Sequence, residues 1–79
     1  MEMDKKPYGS RELEFAIFCI ENVALKLNVN ATKVYDALTD QTNILNEYII
    51  PEYDVLHTQS KEYIVDDIID VINKRGVKL

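Results

Sequence analysis

Three aspartates spell the one stretch of this chain that looks like chemistry: Asp66, Asp67 and Asp70, in DDIID. That spelling matches the aspartate-rich motif that grips magnesium and a diphosphate. Such a site also needs a deep cavity and a second carboxylate cluster, and 79 residues supply neither. The acids therefore read as a solvated helix face. Glu62, Asp66 and Asp70 recur every four residues, a spacing at which like charges cost a helix roughly 0.2 to 0.5 kcal/mol per pair, and Tyr63 lies among them. An aromatic ring bordered by carboxylates suits contact with a basic partner. The plainer alternative is that the acids only keep the protein in solution, with Asp70 paired to Lys74.

Cys19, His57 and Asp54 can be assembled on paper into a thiol triad. Cys19 sits inside the apolar run FAIFCI, where burial raises a thiol's pKa and hides it, so it reads as a packing residue. One His with one Cys cannot complete a zinc tetrahedron, and His57 reads as a hydrogen-bonding partner for the start of the last helix. No metal or cofactor is expected. Gln41, Thr42, Asn43 and Asn46 would be the DNA-facing groups of a helix-turn-helix. The cations cluster instead near the two ends, at Lys5, Lys6, Lys74, Arg75 and Lys78, and the net charge is −5. That balance argues against nucleic-acid binding driven by phosphate neutralisation. A single cysteine excludes an internal disulfide and suits a reducing cytosol. No apolar run reaches the roughly 18 residues of a membrane span, and Met1 to Lys6 lacks a signal-peptide core. The expected setting is cytoplasmic, away from the membrane.

The elements that must position these residues are helical. With 47% hydrophobic residues and only two glycines and two prolines, the chain is a folded, helix-rich domain. Residues 1–9 read as a flexible arm and 10–79 as a single domain. The first helix runs from a Ser10 cap to about Leu27. Leu13, Ala16, Ile17, Ile20, Val23, Ala24 and Leu27 form one apolar stripe, and Phe15, Phe18, Cys19 and Leu25 fall outside it. A helix apolar on two sides needs two neighbours, either from this chain or from a partner. Asn28 suits its C-terminal cap. Asn30 caps a short second helix over 31–39, stapled by Val29 and Val34, with Val34, Tyr35 and Leu38 as its inner edge. Asp40 offers a cap for a third, in which Ile44, Leu45, Tyr48 and Ile49 face the core and which Pro51 ends by Ile49. Residues 52–59 alternate Tyr53, Val55 and His57 with Asp54, Leu56 and Thr58, as an extended connector or short strand would. Ser60 caps the last helix, which runs to about Arg75. Ile64, Val65, Ile68, Ile69, Val71 and Ile72 form its inner face, acids lie early and cations late, and Gly76 stands at the C-cap.

The order FAIFCIEN, then VYDAL, then YIIPEYDVLHTQSKEYIVDDI resembles a family of small bacterial proteins known only as a domain of unknown function. The likeness spans Glu14 to Gly76 and is most specific over Tyr53 to Gln59 and Tyr63 to Ile68. Members of that family are often encoded beside an ADP-ribosyltransferase-like protein, in pairs that look like toxin and antitoxin. The resemblance implies an accessory or neutralising protein and carries no catalytic residues over to this chain.

The expectation is an all-α bundle of three to four helices, with the long first and last helices packed together and an extended connector before the last. The expected function is a non-enzymatic protein-interaction module, an antitoxin-like partner of a co-encoded enzyme. A helix-turn-helix DNA-binding regulator is the alternative. The candidate contact residues are Tyr53, Asp54, His57, Tyr63, Asp66, Asp67 and Asp70, with Phe15, Phe18 and Leu25 as a candidate homodimer surface.

Overall fold

A computed structural model describes residues 10–79, so the arm at residues 1–9 and the side chain of the Ser10 cap lie outside the described residues. The chain is all-helical: α1 is Ser10–Leu27, α2 Ala31–Thr39, a single π-helical turn covers Leu45–Ile49, α3 is Tyr53–Leu56 and α4 Lys61–Lys74. There is no strand among the described residues. The first and last long helices pack on each other, as expected, and α2 packs on another side of α1.

Each boundary has a local cause. Asn28 takes a left-handed φ of 56°, and the Val29 and Asn28 N–H groups donate back to Ala24 and Leu25 carbonyls at 3.0 and 3.3 Å. This is the paired closure that satisfies a helix's last carbonyls. Gly76, at φ 79°, ends α4 in the same way. There the Val77 and Gly76 N–H groups reach the Ile72 and Asn73 carbonyls at 3.3 and 3.0 Å, and Val77 is buried. The Asn30 side chain accepts from the Thr32 N–H at 3.2 Å, and the Ser60 hydroxyl accepts from the Tyr63 N–H at 3.1 Å. Asp40 does not make the cap expected of it for the third helical segment. Asp40 is instead the C-terminal cap of α2, whereas the Thr42 hydroxyl donates to the Ala37 carbonyl at 2.7 Å and accepts from the Ile44 N–H at 3.2 Å.

The buried stripe of α1 keeps Ala16, Val23 and Ala24 of the expected one, with Ile20 and Leu27 packed beside them, but gains Phe15 and Cys19 and loses Ile17. Phe15, Ala16, Cys19, Val23 and Ala24 are buried, whereas Ile17 is 48% exposed. In α2 the core positions are Val34, Ala37 and Leu38, and Tyr35 is half exposed. Small side chains decide both shifts. Ala16, Cys19 and Ala24 on α1 and Ala37 on α2 let the helix axes approach closely, so the bulkier Ile17 and Tyr35 turn outward along the rim.

The region before α4 is helical where an extended connector was expected. The π turn spaces its bonds by five residues, with the Ile50 N–H donating to the Leu45 carbonyl at 3.0 Å. Ile50 keeps a helical φ of −70° and ψ of −47° despite preceding Pro51. The wider turn moves the carbonyl that a proline ring would strike, and Pro51 has no N–H to leave unbonded. The path then re-enters α3 through Leu56 N–H to Glu52 carbonyl at 2.8 Å. Leu56 turns into the core and Val55 out, an inward pair at Tyr53 and Leu56 that a three-residue spacing creates and an alternating strand would not. Burying Leu56 is worth about 2 kcal/mol and favours the helical turn over an extended path through α3. Leu56→Ala is therefore expected to cost about 2 to 4 kcal/mol in urea unfolding, and Val55→Ala less than about 0.5 kcal/mol.

Candidate protein-contact surface

The nucleophile is the first group the fold disposes of. Cys19 is fully buried among Phe15, Val23 and the other core residues, and burial pushes its thiol up to about 12. His57 is exposed, with its ring stacked on Tyr53 at 4.5 Å and 10°. It does not cap α4, a position that Ser60 holds. The triad drawn from Cys19, His57 and Asp54 is therefore not brought together: the thiol is sealed in the core and the imidazole and the Asp54 carboxylate face solvent. With the thiolate disfavoured, Cys19 of the native protein should resist alkylation at pH 8 and react fully once urea unfolds it. A native-state rate near that of a free thiol would contradict this.

Tyr53 joins His57 to the core. Its ring meets Phe15 edge-on at 5.4 Å and 76°, and Phe15 stacks on Phe18 at 6.1 Å. This ladder changes the expected homodimer surface. Phe15 is only 8% exposed because α3 of the same chain covers it, and Phe18 is half-buried against the core. Of that trio only Leu25, 77% exposed, stays in water.

The three aspartates of α4 point to three different partners. Asp66 pairs with Lys26 of α1 at 3.6 Å, and Asp70 pairs with Lys74 one turn on, at 3.0 Å. Asp67 accepts a short hydrogen bond from the Tyr48 hydroxyl of the π turn. Among the described residues no group of three or more His, Cys, Asp or Glu converges as metal ligands would. The outward face of α4 is then Tyr63, 53% exposed, with Asp66 and Asp70 in solvent beside it. Asp67 belongs to the junction with the π turn instead.

Tyr48 is the residue that sequence reasoning placed only in the core. It is half-buried, and its phenol is held protonated well above the usual tyrosine range. The hydrogen bond to Asp67 is the main cause, followed by burial and by the negative charge of Asp67, Tyr63 and Glu52. The spacing of 19 residues between Tyr48 and Asp67 left no sequence signal for the pair. The bond ties the acidic helix to the turn before α3.

The direction of this shift predicts a pH dependence. Because the folded phenol holds its proton above the ordinary value of 10.0, its contribution to stability is complete below that value and is lost as pH rises through the higher folded pKa. Urea unfolding should show the native chain losing stability above pH 10 more steeply than Tyr48→Phe, which has no proton to lose. Equal slopes would refute the bond.

The groups expected to read DNA are mostly spent. The Thr42 hydroxyl is used twice within the chain, and Asn43 accepts from the Asn46 amide at 3.1 Å. The helical segment that carries Asn46 is one five-residue π turn, too short to lie along a groove as a recognition helix. No helix among the described residues is long and apolar enough to cross a membrane.

A family model described as "Protein of unknown function (DUF3791)" matches residues 14–75, nearly the stretch over which the sequence carries its resemblance. No curated protein and no solved structure matches the chain.

Proposed function

The chain belongs to the DUF3791 family of proteins of unknown function, and from that premise we propose that it is a non-enzymatic interaction module working in the cytoplasm, docking a basic protein surface on the outward face of α4. One observation carries the reading. Tyr63 stands half exposed in the middle of a helix face whose neighbours, Asp66 and Asp70, keep their carboxylates in water. An aromatic ring that gives up solvent on contact, ringed by charges that select the partner's sign, is the usual make-up of an interface hot spot. The repeated acids on α4 strain the isolated helix, and a basic partner would relieve that strain. The sealed thiol at Cys19 supports a role without covalent chemistry. The resemblance supplies the specific version: the partner is a co-encoded ADP-ribosyltransferase-like protein, which this chain accompanies or neutralises, and any transferase chemistry belongs to that protein.

Co-expression with the neighbouring ADP-ribosyltransferase-like protein and gel filtration of the product test both levels. A complex should form, and Tyr63→Ala combined with Asp70→Lys should weaken it by at least about tenfold. Both side chains are exposed, and Asp70 gives up only a surface pair with Lys74 worth at most about 0.5 kcal/mol, so the melting temperature should barely move. Asp67 is unsuitable for this test, since its reversal also breaks the bond from Tyr48. No complex at micromolar concentration removes the enzyme-partner version. A complex indifferent to the two substitutions removes the α4 face.

A further inference from the structure

A second surface lies on the other flank of α4, where it meets α1. A groove of about 300 Å³ opens there, lined by the apolar Leu25 and Val65 and by Lys26, Lys61, Glu62 and Asp66. Leu25 is 77% exposed, the most exposed large apolar side chain among the described residues. It stands as a knob beside a hole large enough to take a leucine side chain.

The charges on the rim say what fits. Two cations and two anions make it neutral on a chain of net charge −5. Lys26 and Asp66 already pair across the helices at 3.6 Å. Lys61 and Glu62, adjacent at the start of α4, make no ion pair among the described residues. A basic partner would find more attraction on the outward face of α4, and an acidic one would need a surplus of cations here. A surface that sets one cation directly beside one anion complements itself under a two-fold axis.

We propose that this groove is the seat of a second copy of the chain, in a symmetric dimer with each Leu25 entering the other copy's groove and each Lys61 facing the other copy's Glu62. A neutral patch adds no local like-charge repulsion to the contact of two acidic chains, and burial of two Leu25 side chains supplies the attraction. The companion groove between α1 and α2, about 250 Å³ beside Ile17 and Tyr35, carries Glu21 as its charge. A two-fold contact there would bring in two like charges and no cation from the groove's lining. The dimer replaces the Phe15 and Phe18 contact expected from the sequence and keeps Leu25. It leaves Tyr63 and Asp70 free, so it stands or falls independently of the partner docked on them.

Sedimentation velocity from roughly 1 to 200 µM tests the assignment, with helical content checked by circular dichroism. The native chain should dimerise within that range. Leu25→Asp, at an exposed position, should weaken dimerisation by at least about tenfold. Lys61→Glu and Glu62→Lys should each weaken it by about tenfold, because symmetry counts every like-charge contact twice. The double reversal K61E/E62K should return it to within about threefold of the native value. Lys33→Glu on α2 makes the same change in net charge as Lys61→Glu away from the groove and should leave dimerisation unchanged. A native chain monomeric throughout, a dimer indifferent to Leu25→Asp or to either reversal, or a double reversal that fails to restore it overturns the proposal.

Discussion

The rest of the structure depends on how closely α2 and α4 can approach α1. A chain of 79 residues buries too little surface to tolerate a loose core, so the fold is held by short side chains that let a few larger ones interlock. Ala16, Cys19, Val23 and Ala24 form a low ridge on α1, and Val34, Ala37 and Leu38 meet it from α2 while Ile64, Ile68 and Ile72 present the inner face of α4. β-Branched residues are poor helix formers, so α4 holds its shape because its isoleucines are packed. Cys19 is part of that ridge. A thiol at its site has the size of a small apolar side chain, which accounts for the residue without any reactivity.

Packing at α1 also shapes the path of the chain beyond α2. Ile44, Leu45 and Ile49 are buried under the bundle, and the π turn lets all three face inward ahead of a proline. Pro51 thereby redirects the chain without stopping it. The next turn delivers Leu56 to the core and Tyr53 to Phe15, and His57 rides on Tyr53. The aromatic ladder is thus a consequence of where the turn releases the chain, and it uses up apolar surface on α1 that the sequence left without a partner.

Much of this was legible in the residues, and the parts that were not share a cause. The caps at Asn28, Asn30, Ser60 and Gly76 and the inner face of α4 come from signals within a few positions of one another, and the packing of the first helix on the last follows from their being the two long apolar-faced helices. The stripe on α1 was legible at Ala16, Val23 and Ala24 but not at its edges, where Phe15 and Cys19 are buried and Ile17 is not, because that helix has apolar residues on nearly every side. The choice falls to helix approach, which favours alanine and cysteine over the more hydrophobic Ile17. The stretch from Tyr53 to Thr58 alternates like a strand, and only the tertiary position of Leu56 decides otherwise. The pairs of the contact surface, Tyr48 with Asp67 and Lys26 with Asp66, join residues 19 and 40 positions apart, beyond the reach of any local pattern. The aspartates could be found in the sequence, but their division among three different partners could not.

That division decides what the acidic helix can offer. If DDIID acted as one cluster, its charge would concentrate at a point and draw a cation. Instead Asp67 is tied inward to Tyr48, Asp66 leans to Lys26 across the groove, and Asp70 to Lys74 along the helix. The result is a broad, weakly negative face with Tyr63 as its apolar centre, flanked by a groove whose charges cancel. Fields of those two kinds select different company. The negative face favours a basic surface at long range and adds little at contact, since exposed pairs are screened; the neutral groove attracts nothing at a distance and gains only from close fit. One helix therefore presents two faces of different electrostatic character, set apart by the turn-by-turn rotation of α4, with Asp66 shared on the border between them.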